Sequence, residues 1–569
     1  SPKNQPLVEE EHIMLSLITQ MSTLALLTPP ASTEYIALIP GAIVALTTIL
    51  VILLDVFHRQ ETSRDYIGYF GAIGLGVAML SCWGLWDTSL NNPVFFGMLY
   101  ADRFGLFFAA LACFAGILSI IASPRYLVVN SMDRGEYYML TLFGVLGMIF
   151  MANAADLLTL FIALEVMSIP IYCLAAFLRK DNRSAEAGLK YFILGAFSTG
   201  LMLYGIALIY GLTGTTNLEF IAHGIAAIVA SPEALSSADR LLTFSVLLIV
   251  SGFAFKLASF PFHIWTPDVY TGSPTPAVGF MATGVKAAAI AALLRVLIVA
   301  FYAEEVRGGF FGLGWMDLLF GMAVGSVILG NLVAIAQTNV KRMLAYSSIA
   351  HAGYILIGIL AANSRSAFFL YNDAVLFYIL TYTVGTIGAF SALAYITRNG
   401  KSAETYEDLS GVGFKFPMVG LVLTICMLSS AGIPPTAGFL GKLYVFRSAV
   451  SVGAQTGEMA FIGLAILAIL TSVAGVYYYL KVIVHLYMKP LNEGVAALHH
   501  RGAMLSLAVA GFLSLYLGIL PDSAIKAARE AVVDMKGVPA EIVPQAEAGK
   551  RKLAADYPEA PKRISARDN

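Results

Sequence analysis

The chain has 569 residues, of which 58% are hydrophobic and 12% charged, and its 35 Lys and Arg nearly balance 36 Asp and Glu for a net charge of −1. Together with a mean hydropathy of +0.77, this composition places it among polytopic membrane proteins. A near-neutral chain without a basic patch cannot neutralise phosphates, which excludes nucleic acid as a partner.

Near the N-terminus, residues 12–27 are moderately apolar but follow Glu9, Glu10 and Glu11. A secretory signal needs positive charge there, so this stretch reads as a surface-lying helix or as sequence ahead of a start at Met14. Apolar runs of about 20 residues, enough to span a bilayer, then fall at 34–56, 65–86, 102–122, 136–153, 155–178, 186–212, 241–270, 274–303, 314–338, 344–361, 372–398, 416–448, 458–486 and 502–520. The predicted architecture is all-α, with about fourteen transmembrane helices. Gly71, Gly74 and Gly76 lie inside the second run with no strand before them, so they read as helix-packing glycines rather than a nucleotide loop. Cys82, Cys113, Cys173 and Cys426 sit within runs and show no metal-ligand spacing. Pro170 interrupts the fifth run.

The seventh and twelfth runs combine excess length with interior prolines, Pro261 in one and Pro434-Pro435 in the other. This predicts discontinuous helices. Lys256 lies beside the first break and Lys442 beyond the second. A lysine at mid-membrane costs about 2.5–3.5 kcal/mol and needs a partner or a task, so two ammonium groups at two broken helices point to an ion path. Beyond Leu520 the chain turns polar and carries Pro539, Pro544, Pro558 and Pro561. That tail lies on a neighbour or stays mobile; it does not span.

Connections alternate in charge. The odd ones carry Arg59, Arg64, Arg125, Arg134, Arg179, Lys180, Arg183, Lys341, Arg342, Arg398, Lys401, Lys415, Lys489 and Arg501, and the even ones Arg240, Arg307 and Arg365, with Arg103 and Arg447 at adjoining span ends. The positive-inside rule puts the odd connections in the cytoplasm and both termini on the far, periplasmic side. Segments four to eight and nine to thirteen form two five-helix blocks, and an odd number of spans per block inverts the second. The expected division is an arm at 1–33, three helices at 34–135, inverted repeats at 136–303 and 304–490, a last helix at 491–520 and a tail at 521–569.

The stretch from Phe253 to Pro276, with Lys256, Pro261, His263, Trp265, Pro267, Asp268 and Tyr270, closely resembles the antiporter-like N-subunit family of proton-pumping NADH:quinone oxidoreductase, respiratory complex I. Leu164-Glu165, Ser184 to Phe192, Lys341 to Tyr354 and Gly432 to Lys442 extend the resemblance, which spans about residues 35 to 520. It implies that Glu165 pairs with Lys256, that Lys286 sits at the centre of a proton relay and that Lys442 lies toward its end. Lysine at 442, where one sister subunit has Glu, and the lack of a long amphipathic helix plus further span after Leu520 both favour the N subunit. The resemblance places flavin, iron–sulfur clusters and quinone on partner subunits, with no cofactor or metal on this chain. Its partners are then other membrane-arm subunits and the lipid of a bacterial inner membrane.

Each candidate has a plainer reading. Glu165 can hydrogen-bond a neighbouring helix, and Lys286 is flanked by Gly284 and Ala287 to Ala289, which admit close packing or a water thread. Lys190 can be an interfacial anchor and His351 a satisfied core histidine. His263 is expected to bond backbone freed by Pro261, and Asp268 to cap a helix end. The rival functions are a cation/proton antiporter of the Mrp type, a hydrogenase-linked relative, and a structural membrane scaffold.

Overall fold

A computed structural model describes residues 30–58, 63–90, 92–312, 314–364 and 372–538. The N-terminal stretch through residue 29, the tail from 539, Arg59 and Arg365 lie outside the described residues. The main helices are α1 (Ile39–Val56), α2 (Asp65–Gly84), α3 (Arg103–Ala122), α4 (Glu136–Asn153), α5 (Leu157–Ala175), α6 (Asn182–Thr213), α7 (Pro232–Leu257), α8 (Thr266–Gly272), α9 (Thr275–Val299), α10 (Trp315–Ile335), α11 (Val340–Ala362), α12 (Asn372–Tyr395), α13 (Pro417–Ala431), α14 (Ala437–Thr456), α15 (Met459–Met488), α16 (Arg501–Ile519) and α17 (Asp522–Val533). Among the described residues, thirteen helices are long and apolar enough to cross a membrane, or up to fourteen with one bent pair counted as a span.

The two discontinuities fall where the prolines predict. α7 stops at Leu257, and the chain runs irregularly to α8, which begins at Thr266; α13 stops at Ala431, and α14 begins at Ala437. Both first halves end alike. Ser259 N–H donates to the Ala254 carbonyl at 3.1 Å, and Ile433 N–H to that of Leu428 at 3.0 Å. Each is a Schellman-type closure around a left-handed residue, Ala258 with φ 56° and Gly432 with φ 85°. The Phe260–Pro261 and Pro434–Pro435 bonds are both cis. Pro170 does not break the fifth span, because α5 runs through it to Ala175; a membrane helix tolerates one lost backbone bond where neighbours pack against it.

Contacts at the helix ends sort the connections by parity. On one side, Arg64 pairs with Asp55 and bonds Asp133, Arg183 pairs with Glu404, and strand β1 (Ile396–Arg398) pairs with β2 (Lys401–Ser402) and with β3 (Val495–Ala497). On the other, Tyr100 bonds Glu219, Phe95 N–H bonds Glu34, and Trp86 bonds Glu530 of α17. Odd connections meet odd ones, and even connections meet even ones and both described chain ends.

At the centre stands α9, buried along its whole length. Its second turn, Met281–Val285, is π-helical and leads directly into Lys286. Isolated π-turns inside α-helices mark functional sites in many proteins.

Candidate functional site

Glu165, Ser168 and Tyr172 recur at three and four residues along α5, which sets them on one face. That face meets Lys256 in the last turn of α7. The Lys256 ammonium, 1% exposed, donates to Ser168 Oγ at 2.7 Å and to the Tyr172 hydroxyl at 3.0 Å, and lies 5.0 Å from the Tyr172 ring centre. Glu165 interacts with it electrostatically but makes no direct ion pair. Its Oε1 is buried without a hydrogen-bond partner. The two hydroxyl oxygens that accept from Lys256 can each also donate.

Lys286, also 1% exposed, projects from α9 toward α11, donating to the Ser348 carbonyl at 2.7 Å and to Ser348 Oγ at 2.5 Å. Ser348 Oγ in turn shares a 2.8 Å hydrogen bond with the Tyr382 hydroxyl of α12. One turn along α11 is His351, whose Nδ1 meets Tyr378 at 2.7 Å and whose Nε2 meets Tyr479 at 3.1 Å. Beside His351 lies a cavity of about 10 Å³ lined by Tyr378, Tyr382, Ser429 and Ser430, close to the room one water needs. Lys442 bonds one of the residues that line that cavity, Ser430. Its ammonium donates to the carbonyls of Ser430 at 2.8 Å and Ala431 at 3.1 Å and to Ser472 Oγ at 2.8 Å. These carbonyls end α13, where a helix leaves its last acceptors unpaired and its dipole negative.

The structure thus gathers the six candidates into two buried sets and one outlier. Glu165 stands with Lys256; Lys286, His351 and Lys442 line one polar seam through α9, α11, α12 and α14. Lys190 stands apart, half-exposed, paired with Glu186 at 2.6 Å and with Asp268 at 2.8 Å. Asp268 also binds Arg342 at 2.7 Å, so it joins two cations rather than serving only as a cap. His263 stacks on Phe260 and bonds the backbone of Pro261, as expected at the break, while its Nδ1 is buried without a partner.

Sequence reasoning missed two parts. The first is the rest of the hydroxyl lining, Ser168, Tyr172, Tyr378, Tyr382 and Tyr479, which carries no sequence signal because such residues are common in apolar helices; Ser348, in a polar stripe with Tyr346 and Ser347, did stand out. The second is Arg295, nine residues beyond Lys286 and fully buried, which grips fully buried Asp102 through two bonds of 2.8 and 2.9 Å. An arginine inside the run Ala291–Val299 should have signalled a buried acid.

Residues 154–471 match the sequence family described as NADH:quinone oxidoreductase/Mrp antiporter, TM. Among curated relatives, the NADH-quinone oxidoreductase subunit N of Trichlorobacter lovleyi is 41% identical over 87% of this chain and 96% of its own length. Subunit N 1 of Sorangium cellulosum is likewise 41% identical, over 88% of this chain and 98% of its own. A chain in the structure of respiratory complex I from Thermus thermophilus superposes with a TM-score of 0.69 at 34% identity, covering 86% of this chain and 99% of that one. A chain of the Mrp complex from Dietzia sp. shares the fold, with a TM-score of 0.71 at 20% identity over 90% of this chain and 99% of its own.

Proposed function

The chain belongs to the NADH:quinone oxidoreductase/Mrp antiporter family of membrane subunits, and from that premise we propose that Glu165, Lys256, Lys286 and Lys442 carry protons across the membrane, with His351 between the last two. The chain is a proton-translocating subunit of the membrane arm of complex I, and it works beside the other membrane subunits of that enzyme. The observation that supports the assignment of residues is the set of three lysines, each buried at membrane depth and each bonded to a side-chain hydroxyl.

A buried lysine is expensive when charged and unpaired, whereas its neutral form is not. A carboxylate moving toward or away from such a lysine therefore changes whether it holds its proton. In this reading Glu165 and Lys256 are the gate: their approach keeps Lys256 charged, and their separation releases its proton toward Lys286. Ser348 and Tyr382 hold Lys286 while it exchanges, and His351 hands the proton on toward Lys442. Arginine could not replace these groups, since it stays charged at any working pH.

Quinone reduction, flavin and iron–sulfur clusters belong to partner subunits, and this chain contributes no redox centre. Residues 136–303 and 304–490 act as inverted repeats, with Lys190 as an anchor at the cytoplasmic rim and the even connections and both termini facing the periplasm of a bacterial inner membrane. Subunit N relatives at 41% identity favour this reading over an Mrp-type antiporter, for which the likeness is one of fold alone. The deciding experiment is Lys286→Met in the assembled complex reconstituted into vesicles. Quinone-linked acidification should be lost while the complex stays intact; unimpaired pumping would return the chain to a scaffold role. Cysteine labels at Asn182 and Glu305 should react from opposite sides of the membrane, Asn182 from the cytoplasm.

A further inference from the structure

We infer that Asn331 is a positioning residue of the proton path: from α10, its side-chain amide holds Tyr354 and Tyr478, the tyrosines that fix where Lys442 and His351 stand. The inference rests on the reading of those two residues as proton carriers.

Asn331 lies within α10 and is 1% exposed, where an unbonded amide would be costly. Its Nδ2 donates to the carbonyl of Val327, one turn back, at 2.8 Å and to the Tyr354 hydroxyl of α11 at 2.8 Å. Its Oδ1 accepts from the Tyr478 hydroxyl of α15 at 3.0 Å. The facing helix leaves room for it, since a Cβ at Gly475 of α15 would stand 2.6 Å from Asn331 Oδ1. An amide is planar, with its two N–H directions and its acceptor oxygen fixed in one plane, so this single side chain sets both tyrosine hydroxyls relative to each other.

Both tyrosines lead to the relay. Tyr354 lies one turn from His351 on the same face of α11. Its ring stands T-shaped against the His351 ring, with centres 5.7 Å apart, and the Lys442 ammonium sits over it, 5.2 Å from its centre. The same ring meets Phe446, one turn beyond Lys442 on α14, at 5.5 Å. A cation is drawn to an aromatic face, so where Tyr354 stands bears on where the Lys442 ammonium rests. Tyr478 packs on Tyr479 with ring centres 4.3 Å apart, and the Tyr479 hydroxyl bonds His351 Nε2 at 3.1 Å. Asn331 thus touches neither proton carrier, yet both rest against tyrosines that its amide steadies.

Helix adhesion does not account for the amide. α10 and α11 already approach closely at two glycines: a Cβ at Gly330 would meet the Ala350 nitrogen at 2.5 Å, and one at Gly353 the Val327 nitrogen at 2.9 Å. Leucine has the branched shape of asparagine without its polar atoms, and phenylalanine at 354 and 478 would keep both rings. What such a set would lose is direction, because apolar attraction is non-directional whereas a hydrogen bond constrains distance and angle. A relay depends on direction, since a proton passes only between groups held within hydrogen-bond reach.

The test is Asn331→Leu combined with Tyr354→Phe and Tyr478→Phe in the assembled, reconstituted complex, beside Asn331→Asp and Lys442→Ala. The triple variant removes donors and acceptors together, so it should assemble with thermal stability close to wild type. Its quinone-linked pumping should nevertheless fall roughly three- to tenfold, short of the hundredfold that a misplaced group can cost. Asn331→Asp, uncharged when buried this deeply, still offers one donor and one acceptor to the tyrosines and should pump within about twofold of wild type. Wild-type pumping by the triple variant with an impaired Lys442→Ala overturns the positioning role alone. Wild-type pumping by both overturns the proton-carrier reading of Lys442 as well. An assembled Asn331→Asp complex as slow as the triple variant overturns the positioning role, and so does a triple variant that fails to assemble, which would make the amide structural.

Discussion

The breaks in the seventh and twelfth spans share a backbone and differ in how they treat their lysine. Both first halves close with the same bond to the carbonyl five residues back, around a left-handed residue. At the seventh, Lys256 precedes the break and is met by two hydroxyls of another helix. At the twelfth, Lys442 follows the break and turns back onto the two carbonyls that end the first half, with Ser472 as third partner. Three acceptors match the three N–H groups of an ammonium. Two hydroxyls can instead reorient around either an ammonium or an amine. One discontinuity therefore builds a responsive site and the other a well-satisfied terminus, from the same turn.

The largest effect should come from the responsive site. Lys256→Ala and Glu165→Gln should each lower proton pumping about a hundredfold or more, in the range of losing an acid–base group, in complexes that native gels show to be assembled. Normal pumping by both would erase the contrast. At the twelfth break, Lys442→Arg should spare stability, because the carbonyls still find donors, yet pump poorly because proton exchange is lost; full activity would mean that fixed charge suffices there. Lys442→Ala should also lower stability by about 1–3 kcal/mol, since two buried carbonyls lose their donor, seen as earlier thermal unfolding in mild detergent.

The turns themselves supply the smaller tests. Gly432→Ala places a side chain at φ 85° with its Cβ 3.0 Å from Lys442 Cδ, and should destabilise by about 1–2 kcal/mol. Ala258 already bears that strain at φ 56°. Ala258→Gly relieves it but gives the unfolded chain more freedom, so the net gain should stay below about 1 kcal/mol. A clear loss on Ala258→Gly would show that the Ala258 methyl packs more favourably than its backbone is strained.

Much of this was legible in the sequence because membrane proteins announce costs. Span lengths follow from the bilayer, both breaks from proline and glycine, and Lys256 and Lys442 from the expense of charge in apolar runs. The resemblance supplied Glu165 and Lys286. What stayed hidden depends on which helices touch. Ser348 becomes important only because α9 brings Lys286 to it, and Tyr172 only because α7 ends beside α5. The Asp102–Arg295 pair joins residues 193 positions apart, beyond the reach of any local pattern. α17 was hidden for a different reason. Its polar composition reads as tail, yet Trp86–Glu530 and the bond from Arg103 N–H to Asp534 fasten its length to the bundle.

The π-helical turn at Met281–Val285 acts as a phase setting for the central shaft. Beyond it, α9 is ordinary helix, so Lys286 and Arg295 stand about half a turn apart around the axis and about 13 Å apart along it. One must find Ser348 while the other finds Asp102. The wide turn fixes the angle at which both arrive, relative to the Thr275 end that α8 anchors. A wide turn of this kind absorbs one extra residue, so taking that residue out would restore α-helical winding and leave the rest of the shaft near its present angle. One residue added or removed in the ordinary helix between Lys286 and Arg295 would instead swing Arg295 by about 100° away from Asp102, so length there is under tighter constraint than side-chain identity.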